Sequence, residues 1–244
     1  MKKAILSFWY LVYGSWTLFN FTWLMLFSVP IVVVSIIINE KIGGRIGFVV
    51  LEIWARLFSG LSGIFYRTIG KENIINTDAA IYVANHGSYL DAPALVVAIP
   101  QQCRPLGKKE ILSYPVFGIM FRYIGVTVDR SNAESRRDSL EIIKGKLLKG
   151  INIMFFPEGT MNKTEDLLIP FKDGAFRLAV ETGTPVVPMA IHNSRNLLPR
   201  GSGELKNGVI TIEYGKPISP EGKDIDTVKA EAYQAIYTML KNRK

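Results

Sequence analysis

The sequence predicts an α/β fold: a mixed, mostly parallel sheet flanked by helices and preceded by an N-terminal two-helix membrane anchor. Three observations carry this. From Ala4 to Asn39 the chain has no charged residue, whereas from about Tyr66 onward it is a mixed, charged sequence. In that second part short apolar, β-branched runs alternate with helical stretches, the pattern of an α/β sheet. Several of the runs are apolar throughout, as strands covered on both faces are. The chain therefore divides into residues 1–63, the anchor, and residues 64–244, the α/β domain.

The uncharged run follows Lys2 and Lys3, as in a signal peptide, but it is too long and no small-residue cleavage site ends it. It also exceeds the roughly 20 residues of a spanning helix. Pro30 divides it, which predicts a kink or a hairpin there. Trp9, Trp16 and Trp23 recur every seven residues, a spacing that drifts only about 20° around a helix. Tyr13, Asn20 and Phe27 fall close to the same line. A spanning helix carries Trp and Tyr in belts near its ends; here they form a stripe, which predicts a helix lying in the interface. A second segment, Arg45 to Tyr66, is amphipathic, with Arg45, Glu52, Arg56 and Ser59 on one face and Glu52 and Arg56 placed as an i,i+4 pair. Lys2, Lys3, Lys41 and Arg45 flank the apolar run on both sides, which keeps both ends cytoplasmic under the positive-inside rule. A monotopic hairpin on the cytoplasmic face of the cell inner membrane satisfies these features. A single spanning helix over Thr17 to Ile38, or a stripe packed on the α/β domain, is the alternative.

Strands are predicted at Ile64–Ile69, Ala80–Ala84, Arg104–Gly107, Val126–Asp129, Asn152–Phe156, Val186–Ile191 and Val209–Tyr214. Helices are predicted at Ala92–Ile99, Pro115–Tyr123, Ala133–Leu148, Gly174–Thr182 and Thr227–Asn242. The formal net charge of +8 suits an anionic partner, a membrane surface or a phosphate substrate. No nucleic-acid-binding motif accompanies that charge, so nucleic acid is not the expected partner. A single cysteine, Cys103, forbids an internal disulfide and reads as a buried bystander. His86 and His192 have no second Cys or His nearby, which argues against a zinc site; His192 reads as structural.

The decisive segment is Asn85-His86-Gly87-Ser88-Tyr89-Leu90-Asp91, just after a predicted strand, where ligand sites of open α/β sheets cluster. A histidine can take a proton from an alcohol at working pH, best when a carboxylate fixes its tautomer. On a continuous helix His86 and Asp91 would lie about 140° apart, so their pairing needs a turn, which Gly87 makes easy. Two readings of Asp91 stand side by side: partner of His86, or N-cap of the helix opening at Ala92-Pro93.

Three further blocks follow: Asp129-Arg130, then Phe156-Pro157-Glu158-Gly159-Thr160, then Val187-Pro188-Met189-Ala190. In this order, with Lys108-Lys109-Glu110 and Phe171-Lys172-Asp173-Gly174-Ala175-Phe176, they resemble the glycerolipid acyltransferase family over about Tyr82 to Ile191. The resemblance implies that His86 takes the proton of an acceptor hydroxyl that attacks an acyl thioester, and that Asp91 orients and charge-stabilises His86. It implies that Arg130 meets the acceptor phosphate, that Glu158, Gly159 and Thr160 line the glycerol-phosphate site, and that Pro188 shapes its wall. The arginine that the family carries after Glu-Gly-Thr is replaced by Met161; Lys163, then Lys109, is the expected substitute.

The expected reaction is transfer of a fatty acyl chain from acyl-CoA or acyl carrier protein, as cosubstrate, to the sn-2 hydroxyl of lysophosphatidate, giving phosphatidate, with no metal and no bound cofactor. Ser88 lacks the Gly-x-Ser-x-Gly context of an acyl-enzyme nucleophile, which favours direct transfer. Glycerol-3-phosphate or another lysolipid is the alternative acceptor. A non-catalytic membrane-docking protein is the alternative of another class; docking requires neither His86 nor Asp91.

Overall fold

The computed structural model describes residues 2–38, 40–75, 79–201 and 204–243. The side chains of Lys2, Lys3 and Lys41, expected to flank the apolar run, and Asn39 lie outside the described residues.

Two helices open the chain, α1 (Lys2–Ile38) and α2 (Glu40–Leu61). The helix runs through Pro30 without dividing as far as Ile38, and α2 packs back along it from Glu40. Small residues set the closeness of the pair. A Cβ at Gly43 would fall 2.1 Å from the Ser35 carbonyl oxygen, and one at Gly47 would fall 3.2 Å from Val32 Cγ1. Ser35 Oγ donates to the Gly43 carbonyl at 3.3 Å. Farther along, Phe21 packs edge-on to Trp54 and Phe58, while Tyr13 and Trp16 donate to the carbonyls of Ser62 and Leu61 at the other end of α2.

The tryptophan stripe does not pack on the domain. Trp9, Trp16 and Trp23 are each about half exposed or more, and Trp16, Phe19, Trp23 and Phe27 form a row of ring contacts on the open side of α1. Tyr13 and Asn20, expected on the same line, turn inward. In α2 the Arg56 guanidinium meets Glu52 Oε1 at 2.8 Å as expected. Ser59 departs from that polar face: it is buried, with its Oγ 2.6 Å from the Tyr66 hydroxyl. Tyr66 itself lies in a strand, beyond the end of α2. The face of α2 bearing Ile42, Ile46, Val49, Ile53, Leu57 and Leu61 is exposed and apolar.

The domain that follows is a seven-stranded sheet. Its strands are β1 (Ile64–Ile69), β2 (Ile81–Ala84), β3 (Cys103–Lys108), β4 (Val126–Val128), β5 (Asn152–Phe155), β6 (Val186–His192) and β7 (Gly208–Tyr214). They lie in the order β1-β7-β6-β2-β5-β3-β4. β6, β2, β5, β3 and β4 run parallel; β7 is antiparallel to β6 and parallel to β1. The crossovers between the parallel strands are helical, α3 (Asp91–Ala98), α4 (Phe117–Ile124), α5 (Ala133–Leu147) and α6 (Gly174–Thr182); the short turn α7 (Ser194–Leu197) precedes β7, and α8 (Ile225–Lys241) follows it. The predicted elements agree with these to within a residue or two at each end. The turns at Lys71–Asn73 and Lys109–Ser113 and the helical turn α7 were not expected.

Alternation along each strand builds two cores. Ile81, Val83, Ile153, Phe155, Val186 and Ala190 face α5, α6 and α8. Tyr82, Ala84, Met154, Val187, Met189 and Ile191 face α3 and the segment after β6, with Phe48 of α2 joining them. A third cluster, Met25, Val32, Leu51, Trp54, Ala55 and Phe58 with Met120 and Ile124 of α4, seats the hairpin against the domain. Cys103 is buried, and burial pushes its thiol well above the ordinary range.

Gly43→Ala is expected to lower stability by about 1–3 kcal/mol, because the contact it violates is backbone and cannot swing away. Gly145→Ala, in α5 with open space around it, should instead add roughly 0.5–1 kcal/mol. Melting of both variants in the same detergent checks the pair; equal shifts would contradict this account of the hairpin.

Candidate active site

The five parallel strands end on one edge of the sheet, and the segments after β2, β5, β3, β4 and β6 emerge there. β2 is central, so the loop Asn85–Leu90 has neighbours on both sides. Asn85 locks it to β6: its Nδ2 donates to the Ile191 carbonyl at 3.0 Å and its Oδ1 accepts from Ile191 N at 2.7 Å. On the other side, Glu158 Oε1 accepts from His86 N at 2.8 Å, and Asn162 N donates to the His86 carbonyl at 2.7 Å.

Within the loop, His86 Nδ1 lies 2.9 Å from Asp91 Oδ2. The same oxygen accepts from Gly87 N and Ser88 N, each at 2.8 Å. Asp91 is the first residue of α3, and its carboxylate turns back into the preceding loop rather than capping the helix; the cap residue is Leu90, with no side-chain hydrogen bond. Of the two readings of Asp91, the hydrogen bonds fit the pairing with His86. Gly87 plays a different part from the one expected: its φ is not positive and a Cβ there would meet only ordinary contacts, so its backbone conformation does not require glycine.

The Asp91 side chain is fully buried and that of His86 is 19 % exposed. The His86 ring stacks on Phe156 with centroids 4.0 Å apart, which fixes the ring plane. With Nδ1 donating to Asp91, Nε2 is the acceptor nitrogen, and it has no hydrogen-bond partner among the described residues. An imidazole held in this way can take a proton at Nε2 while a buried carboxylate compensates the charge that forms.

Glu158 is buried and both its oxygens are taken, by His86 N and by Ile169 N at 3.1 Å. Burial raises its carboxyl pKa above the usual range, and the two N–H bonds oppose that shift. It therefore joins loops beneath His86 instead of presenting an open acceptor, as a residue lining a ligand site would. Gly159 has φ 73°, where a side chain is strained, and a Cβ would also press on Lys172 Cγ at 3.2 Å. Thr160 is exposed beside it.

The other expected residues are spread along the edge. Arg130 follows β4, three strand spacings or about 14 Å from β2. It is exposed, and its guanidinium makes no hydrogen bond among the described residues, while its carbonyl accepts from Arg136 Nη1 at 2.6 Å. The Lys109 ammonium is paired with Asp129, whose carboxyl it holds down at about 2. Lys163 is exposed with no partner among the described residues, and Met161 is buried. Pro188 is not at the edge: it is buried inside β6, opposite Val83 and against Gly215. His192 pairs with Glu213 at 3.1 Å, and burial lowers its pKa, consistent with a structural residue. Among the described residues no group of three or more His, Cys, Asp or Glu is placed to hold a metal.

Sequence reasoning passed over Phe156, although it opens one of the motif blocks, and it passed over Asn85 and the segment after β6. Ser88 Oγ donates to the Leu198 carbonyl of that segment at 3.0 Å, a tie across 110 residues that leaves no local pattern.

Comparison with known proteins agrees with this edge. The family model described as Acyltransferase matches residues 66–192, from β1 to the end of β6. A chloroplastic 1-acyl-sn-glycerol-3-phosphate acyltransferase of Brassica napus is 36 % identical over 177 residues, covering 70 % of this chain and 51 % of its own. The 1-acyl-sn-glycerol-3-phosphate acyltransferase of Salmonella typhimurium is 33 % identical over 153 residues, 61 % of each chain. The chain thus spans about half to three-fifths of the length of these curated relatives. The crystal structure of the 1-acyl-sn-glycerophosphate acyltransferase from Thermotoga maritima superposes with a TM-score of 0.83 over 97 % of this chain and 96 % of that one, at 21 % identity, which bears on the fold alone. With more than half of its length matched by the family model, and the paired His86 and Asp91 inside the matched segment, this chain belongs to the acyltransferase family.

Proposed function

We propose that the protein transfers a fatty acyl chain from an acyl thioester to the sn-2 hydroxyl of lysophosphatidate, giving phosphatidate, on the cytoplasmic face of the cell inner membrane. The observation that carries this reading is the His86–Asp91 pair, with Nδ1 engaged and Nε2 open at the carboxyl edge of the sheet. The acceptor hydroxyl gives its proton to Nε2 as its oxygen bonds to the thioester carbonyl carbon. The tetrahedral intermediate collapses with cleavage of the C–S bond, and the leaving thiolate takes the proton back from the imidazolium. Asp91 keeps the imidazole in the tautomer that accepts at Nε2 and stabilises the imidazolium. Glu158 acts as a positioning residue through His86 N, and Phe156 through the ring plane. Arg130, exposed and without a hydrogen-bonded partner among the described residues, offers a bidentate fork to the acceptor phosphate. Acyl-CoA or acyl carrier protein serves as the thioester donor.

Residues 1–63 are the anchor and residues 64–244 the acyltransferase domain in this reading. By length and composition α1 could cross a membrane. Its packing supports an interfacial placement instead. α2 lies along α1 and also packs on α4 and the α/β domain, so a crossing α1 would draw Arg45, Glu52 and Arg56 toward hydrocarbon. Each charge at the centre of a bilayer costs about 2.5–3.5 kcal/mol on insertion scales. The exposed row of Trp, Phe and Ile on both helices fits the boundary between headgroups and acyl chains.

Three outcomes follow from this function. Asp91→Asn keeps one oxygen for the donors at Oδ2 but loses the charge, so turnover in a thiol-release assay with lysophosphatidate should fall by about 10²–10⁴. Asp91→Ala should add a stability loss of roughly 1–3 kcal/mol for each orphaned backbone N–H; an Asn variant of near wild-type rate would remove Asp91 from the mechanism. Arg130→Ala should raise the KM for lysophosphatidate by an amount equivalent to about 1.5–3 kcal/mol and spare the donor KM, whereas a defect confined to the donor assigns Arg130 to the other substrate. A cysteine replacing Ile42, near the hairpin reversal, should be inaccessible to a thiol reagent confined to the periplasm, and labelling from that side alone would show a crossing.

A further inference from the structure

The segment following β6 belongs to none of the motif blocks, yet it wraps over the His86 loop, fastened by Ser88 Oγ to the Leu198 carbonyl. A Cβ on Gly87 would lie 3.6, 3.7 and 4.0 Å from Cβ, Cδ and Cγ of Arg195, so the stem of Arg195 runs along the residue next to His86. Arg200 Nη1 donates to the Met161 carbonyl at 3.4 Å, and the adjoining Asn162 N donates to the His86 carbonyl. The stem of Arg195 and the guanidinium of Arg200 therefore lie against backbone that adjoins or touches His86. The anion now on Arg195 is the Glu165 carboxylate, 3.3 Å from Nη2 and fully exposed. An exposed pair of this kind contributes little and yields to a stronger anion.

We propose that Arg195, with Arg200 beside it, is a second grip on the acceptor phosphate and sets the preference for a phosphate-bearing acceptor; this rests on the lysolipid acylation proposed above. A phosphate monoester carries about −1.5 to −2 charges and three strong acceptor oxygens. One guanidinium fork engages two of those oxygens. Arg130 follows β4, on the far side of β5 and β3, whereas Arg195 follows β6, the neighbour of β2 on the opposite side. A phosphate between them is held from two directions. The reacting hydroxyl is separated from phosphorus by only two carbons and an ester oxygen, so the acceptor phosphate must lie close to His86. The donor's charged end sits a full pantetheine arm from its thioester. Cations that abut the His86 loop are therefore matched to the acceptor.

The test is a thiol-release assay with lysophosphatidate and, separately, with monoacylglycerol, which has the same hydroxyl and no phosphate. Arg195→Ala should raise the KM for lysophosphatidate by roughly tenfold to a hundredfold, with the donor KM and the rate on monoacylglycerol unchanged. Arg195→Lys, a point charge without the fork, should fall between wild type and Ala. Glu165→Gln removes the competing carboxylate from a fully exposed position and should lower the KM for lysophosphatidate. An unchanged KM in Arg195→Ala, or an equal loss on monoacylglycerol, overturns the assignment. Wild-type protein that releases no thiol with lysophosphatidate overturns the proposed function and this inference together; normal wild-type turnover with an unaltered Arg195→Ala KM overturns this inference alone.

Discussion

A single buried oxygen, Asp91 Oδ2, organises the carboxyl edge of the sheet in this protein. It receives the His86 ring and the backbone N–H groups of Gly87 and Ser88, and its side chain has no exposure to solvent. A carboxylate in that position is costly to desolvate and persists only when donors surround it. The loop supplies them by folding back over the first turn of α3, so the conformation of Asn85–Leu90 and the charge of Asp91 depend on each other.

Glu158 repeats the device one layer out. It too is buried, and it takes N–H groups from the loop after β2 and from Ile169 farther along the chain. The two carboxylates thus join the carboxyl ends of β2 and β5 through backbone donors, leaving the ring of His86 as the polar group turned outward. Phe156 completes the arrangement with a flat apolar surface under the imidazole.

The hairpin is coupled to this edge through packing. α2 lies against α3, whose first residue is Asp91, and buried Ser59 of α2 meets the Tyr66 hydroxyl of β1, which burial pushes up to about 12. The exposed apolar face of α2 and the His86–Asp91 pair at the start of α3 are therefore built on adjoining helices. The close passage of Gly43 over Ser35 keeps α1 and α2 together, and Trp54 and Phe58 of α2 pack in one cluster with Met120 and Ile124 of α4.

Local pattern was enough for much of this. Apolar runs of strand length gave seven strands in the right places, and the seven-residue tryptophan repeat marked the open side of α1, because both signals reside in neighbouring residues. The spacing of His86 and Asp91 showed that they could pair only across a turn. Pairing across the sheet was beyond the sequence: that β5 inserts between β2 and β3, that Glu158 accepts from His86 N and Ile169 N, and that Pro188 is buried inside β6. The start of α2 at Glu40 was also hidden, since Pro30 is tolerated inside α1 while the close approach of the helices depends on Gly43 meeting Ser35. Arg195 carries no motif at all, and its place beside Gly87 arises from one long-range tie between Ser88 and Leu198. Periodicity and short motifs report what neighbouring residues impose on one another; the site is assembled from residues far apart in the chain, and only the packing of the sheet brings them together.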